Sequence, residues 1–129
     1  MGLGGVLLLD DDDDLLATLG ELITLMTGRR CVLAHSLDEI VARRADALAC
    51  GDAILDINLG RGKPSGVDVY AWLRQEGFAG RIFFLTGHAR SHPVVARARA
   101  LDGVEVHQKP IDSDELRRML EYVPAAVRP

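Results

Sequence analysis

The chain has 129 residues, 48% of them apolar and 26% charged, which suits one globular unit with a real core and lies far from the polar bias of disordered chains. Its net charge of -4, from 19 acidic and 15 basic side chains, offers no basic field for nucleic acid or anionic lipid. Cys31 and Cys50 form no CxxC pair, which argues against a zinc site or a disulfide framework and fits reduced thiols in the cytoplasm.

Met1 to Leu9 is apolar but lacks a basic leader and meets a run of aspartates, Asp10 to Asp14, well short of a membrane span, so neither a signal nor an anchor is expected. Within it Val6 to Leu9 is an unbroken apolar run, the pattern of a strand buried on both faces. Leu15, Leu19, Leu22 and Met26, with Leu16 and Ile23 beside them, then repeat at helical spacing until Gly28. Asp12, Asp13 and Asp14 are expected to serve that helix, since carboxylates favour and cap a helix N-terminus.

Cys31 to Ala34 reads as the second strand. Ser36, with Glu39 three residues on, predicts a capping box opening a helix through Leu48. Ala53 to Leu55 is the third strand, Val67 to Gln75 a helix, Ile82 to Leu85 the fourth strand, Val94 to Leu101 a short helix and Val104 to His107 the fifth strand. The last helix starts near Asp112, boxed with Glu115, packs Leu116, Met119, Leu120 and Val123, and stops before Pro124.

Strands trading places with helices imply a parallel sheet covered on both faces. Five units match the doubly wound, flavodoxin-like α/β order 2-1-3-4-5. Residues 1–129 are read as one domain, with a core of about 6–123 and a tail at 124–129.

Ligands in such sheets bind beyond the carboxyl ends of the strands. That rule selects Asp10 and Asp11 after the first strand, Asp56 after the third, Thr86 after the fourth and Lys109 after the fifth. Crowded carboxylates call for a hard cation such as Mg2+ or a raised pKa on one of them. A carboxylate can attack phosphorus to give an aspartyl phosphate, with a metal and a lysine offsetting the oxygens' charge, so Asp56 is the candidate nucleophile.

From Val6 to about Val123 the residues resemble the receiver domains of bacterial response regulators, the CheY-like domains of two-component signalling. LLLDDDDDLL is similar to that family's first strand and acidic pair, AILDIN to its phosphoacceptor segment, FFLTGHA to its hydroxyl-bearing strand end and HQKP to its lysine-proline turn. The resemblance implies Mg2+ held by Asp10, Asp11, Asp56 and the backbone carbonyl of Asn58. It implies phosphorylation of Asp56, Thr86 and Lys109 contacting the phosphoryl group, and a cis Lys109-Pro110 bond. It also implies a sensor histidine kinase or phosphotransfer protein as donor and a downstream protein target, with a regulatory role in place of an enzyme's. The switching surface would be the fourth helix, fifth strand and fifth helix, a face that also offers a homodimer contact. Neither direct nucleic-acid binding nor a membrane role is expected.

Two departures from the family stand out. Val106 occupies the place, three before the lysine, where receivers carry an aromatic that swings with the threonine, leaving backbone movement or neighbouring His107 to act instead. Gly66 lies ten residues after Asp56 where the family has a glycine at eight, so the loop Gly60 to Pro64 is longer, and its Arg61 and Lys63 read as a solvated turn. Gly62-Lys63 is no P-loop, because Pro64 stands where Ser or Thr is needed. His88 and His92 lack an evident third metal ligand, although His88 sits two past Thr86, where the family tunes dephosphorylation. A dehalogenase-like phosphatase using Asp10 would need Thr or Val at position 14, which is Asp14.

Overall fold

A computed structural model describes residues 4–121. The strands are β1 (Val6–Leu9), β2 (Cys31–Ala34), β3 (Asp52–Asp56), β4 (Arg81–Thr86) and β5 (Val104–Gln108). All pair in parallel, in the order β2-β1-β3-β4-β5. This is the expected doubly wound order.

The helices are α1 (Asp13–Thr27), α2 (Leu37–Ala42), α3 (Arg44–Leu48), α4 (Gly66–Gln75), α5 (Pro93–Arg99) and α6 (Ser113–Glu121). The fourth and fifth helices expected from periodicity are thus α5 and α6, because the second is divided. Arg43, with φ -115 and ψ 39, interrupts it, and the Arg43 guanidinium donates to the Leu33 carbonyl of β2 at 2.9 Å. Val123 and Pro124, expected to close α6, lie outside the described residues.

Alternation along the strands sends side chains to two cores. Leu7, Leu9, Ala53, Leu55, Ile82 and Phe84 pack with Val69, Leu73 and Val95 of α4 and α5. Val6, Leu8, Ile54, Phe83 and Leu85 pack with Leu16, Ile23, Leu116 and Leu120 of α1 and α6. β1, β3 and nearly all of β4 are buried along their length, which explains their apolar runs. Among the described residues no helix is long and apolar enough to cross a membrane.

Helix ends follow local chemistry, with two exceptions. The Asp12 side chain caps α1, accepting from the amides of Asp14 and Leu15 at 3.0 and 3.1 Å. Gly28, at φ 70, closes that helix in the left-handed region that glycine enters freely. At the two expected capping boxes only half of each forms. Ser36 accepts from the Glu39 amide at 3.3 Å and Asp112 from the Glu115 amide at 2.8 Å, but both glutamates point elsewhere. Glu39 accepts from the His35 amide and ring, each at 2.9 Å, while Glu115 meets His107 Nδ1 at 2.5 Å. A complete box forms at Ser65 and Asp68, at the start of α4.

Candidate phosphoryl-transfer site

Register sets the site. Leu9 pairs with Leu55, so Asp10 leaves β1 level with Asp56 at the end of β3. Asp56 pairs with Leu85, so Thr86 stands one step beyond it on β4, and Thr86 pairs with Gln108, one residue before Lys109. Side chains far apart in sequence therefore meet at one end of the sheet. Asp10, Asp56 and Thr86 are buried there, and Asp11 is exposed at the rim.

The Lys109 ammonium bridges the two buried carboxylates, 2.9 Å from Asp10 Oδ2 and 3.4 Å from Asp56 Oδ2. Its carboxylate neighbours raise the Lys109 pKa, with burial the largest influence and working against them, so the bridge is a full cation. Asp10 Oδ1 accepts from the Asp12 amide at 2.9 Å and Asp56 Oδ1 from the Asn58 amide at 3.3 Å. The Thr86 hydroxyl accepts from the His88 amide at 3.0 Å, which leaves its own proton free to donate. Lys109 N–H donates to the Thr86 carbonyl at 2.8 Å, and the Lys109-Pro110 bond is cis.

One oxygen from each of Asp10, Asp11 and Asp56 lies within 4.8 Å of the others. An oxygen-only, anionic donor set of this kind fits a hard divalent cation. Burial, and next the negative charge of Asp10, push the Asp56 pKa from 3.8 to about 7 despite Lys109. Asp56 is thus crowded in the way a bound cation would relieve.

The structure brings Asp10, Asp11, Asp56 and Lys109 together as the sequence implied, with Asn58 and Thr86 adjoining them. One contact escaped sequence reasoning: the Asn58 side-chain amide meets His88 Nε2 at 3.3 Å. Its signal was positional, since each residue lies two past a site residue on adjoining strands. Arg61 and Lys63 are exposed, on a turn closed by the Lys63 amide and the Gly60 carbonyl. Val106 packs on the α4/α5 core, whereas His107 lies on the other face, 6.2 Å from the Phe83 ring and bridging Glu105 and Glu115. His107 therefore does not stand in for an aromatic at 106.

Gly66 answers the question of the longer loop. Its amide donates to the Ile57 carbonyl at 2.9 Å, and a Cβ there would lie 2.4 Å from the Asp56 backbone oxygen. The two extra residues are absorbed before this close approach. Gly66→Ala is expected to cost about 1–3 kcal/mol and to displace the β3–α4 connection, read as a lower melting temperature together with shifted Asp56 and Asn58 amide resonances.

Residues 6–121 match the family model described as the response regulator receiver domain. No curated protein matches the sequence. Among solved structures, the chemotaxis protein CheY4 of Vibrio cholerae is similar over 93% of this chain and 98% of its own, with a TM-score of 0.76 at 19% identity. A CheY-like receiver domain from Methylobacillus flagellatus covers the same shares, at 0.74 and 19%. One from Methanospirillum hungatei covers 93% of this chain and 92% of its own, at 0.75 and 19%. At such identities the structural likeness speaks for the fold.

Proposed function

Because the chain belongs to the response-regulator receiver family, we propose that it is a phosphorylation-dependent switch in which Asp56 accepts a phosphoryl group from a histidine kinase or phosphotransfer protein. The observation that carries this reading is a buried carboxylate at a strand end, held between a second carboxylate and a lysine ammonium. In the transfer an Asp56 carboxylate oxygen forms a bond to phosphorus as the donor's nitrogen–phosphorus bond breaks, and the electron pair leaves with the imidazole.

Lys109 offsets charge on the phosphoryl oxygens, and the free Thr86 proton donates to one of them. Asp10, Asp11, Asp56 and the Asn58 carbonyl would hold Mg2+. When bound, Mg2+ supplies the positive charge that lets three carboxylates and a phosphoryl group share one crevice. The aspartyl phosphate carries about -1.5 to -2 charges beside Thr86, where the carboxylate carried at most one. Movement of Thr86 then biases the α5, β5 and α6 face that a downstream protein, or a second copy, reads. Residues 1–129 act in this reading as one receiver unit, in the cytoplasm.

Intact-mass measurement after acetyl phosphate with Mg2+ tests the proposal. An adduct of one phosphoryl group on the native chain, absent from Asp56→Asn, is the expected result. No adduct, or one that survives the substitution, overturns it.

A pH dependence follows from the same carboxyl. Below about pH 7 Asp56 keeps its proton, and a protonated carboxyl is neither a metal ligand nor a nucleophile. Mg2+ affinity, followed by calorimetry, is expected to strengthen between roughly pH 6 and 8 with release of a proton, and Asp56→Asn is expected to remove that proton release.

A further inference from the structure

Two histidines outside the site form a connected unit with it. The His88 and His92 rings stack, with centroids 4.2 Å apart and planes at 22°. His92 is the N-cap of α5, its Nδ1 accepting from the Val94 amide at 3.2 Å. His88 reaches the other way, to Asn58.

The polar network fixes how these rings are held. Asn58 Oδ1 accepts from the Gly60 amide at 3.2 Å, so Nδ2 faces His88 and donates to its Nε2 at 3.3 Å. The Asn58 backbone amide holds Asp56 Oδ1. Gln108 of β5 anchors the His88 carbonyl at 2.9 Å. A chain of contacts thus runs from the helix cap through two rings to the residue clasping the phosphoacceptor.

We propose that His92 is a positioning residue for the chemistry at Asp56: its ring, fixed by capping α5, holds His88 against Asn58 and so sets the lifetime of the aspartyl phosphate. Two features support this role. The cap occupies only Nδ1 and leaves the ring face free to stack, and Asn58 is secured on one side by Gly60 and on the other only by His88 among the described contacts. Without the stack the His88 ring is released, Asn58 loosens, and water reaches the phosphoryl group more readily. The inference rests on Asp56 being the phosphoacceptor.

Three substitutions separate the ring from the cap. His92→Ser keeps a capping oxygen and removes the ring, His92→Phe keeps a ring and removes the cap, and His92→Ala removes both. Decay of the acetyl-phosphate adduct, followed by intact mass, is expected to quicken about two- to tenfold in the Ser and Ala variants, the range one ring stack supports, and to stay near native in the Phe variant. Melting temperature should instead follow the cap, falling in Phe and Ala.

A second readout needs no phosphorylation. The Asn58 side-chain amide resonances should move in His92→Ser and keep near-native positions in His92→Phe. Native decay in His92→Ser, or unmoved Asn58 resonances in it, overturns the proposal, as does decay that follows the cap. If the native chain takes no phosphoryl group, the phosphoacceptor reading fails on its own, and unmoved Asn58 resonances would still sink the positioning role.

Discussion

Asp56→Asn is expected to abolish the phosphoryl adduct and, at the same time, to stabilise the protein. Burial and the neighbouring Asp10 raise the Asp56 pKa from 3.8 to about 7. Between those values the folded chain holds a proton that the unfolded chain has lost, so stability falls as pH rises from about 4 to about 7 and levels off above. At about 1.4 kcal/mol per pH unit the separation sets a ceiling of roughly 4 kcal/mol. An amide carries no charge to desolvate, and its oxygen can still accept from the Asn58 amide. Denaturant titrations in metal-free buffer should show a gain of roughly 2–4 kcal/mol at pH 8 that vanishes near pH 4. A variant no more stable than native at pH 8 would mean that Asp56 is not electrostatically crowded, and the cation-site reading would weaken with it.

The second large effect lies at the opposite end of the sheet. Asp52, 2% exposed, opens β3 between two guanidinium groups. Arg81 meets it through Nε at 2.6 Å and Nη2 at 3.1 Å, and Arg29 Nη1 approaches at 2.8 Å. The arginines reach onward to the Gly4 and Leu120 carbonyls at 2.9 and 3.1 Å, so one carboxylate joins the start of the chain, β4 and α6. Removing it takes the carboxylate from two guanidinium groups, of which Arg29 is 9% exposed. Asp52→Ala is expected to cost about 3–5 kcal/mol and to lower the melting temperature by on the order of 10–20 °C. What remains folded should still take a phosphoryl group, because Asp52 and Asp56 stand at opposite ends of β3. A loss below about 1 kcal/mol would show that the Arg29 and Arg81 charges are solvated without Asp52.

These two aspartates mark the limits of what a sequence displays. Asp56 was legible because the apolar run before it, and the alternation of strands and helices along the chain, place it at a strand's carboxyl end with Asp10, Thr86 and Lys109 at corresponding ends. Asp52 was not, because the strand was read from Ala53 and a charged residue beside Gly51 looks like a turn. Its partners come from a helix-strand connection and from the neighbouring strand.

Periodicity and strand-end position, which are local properties repeated at each unit, therefore determined the doubly wound order and which side chains gather at the candidate site. Tertiary structure decided what competes for each polar group. Glu39 and Glu115 left their capping boxes because histidines stood nearer, the Arg43 guanidinium went to the Leu33 carbonyl of the neighbouring strand, and Gly66 absorbed a longer loop where a Cβ would meet the Asp56 backbone. At Asp56 itself, the sequence supplied the carboxylate and the side chains placed to meet it. Only the folded chain set the burial that raises its pKa and the histidine stack that leans on Asn58, because desolvation and ring contacts depend on what surrounds a group in space.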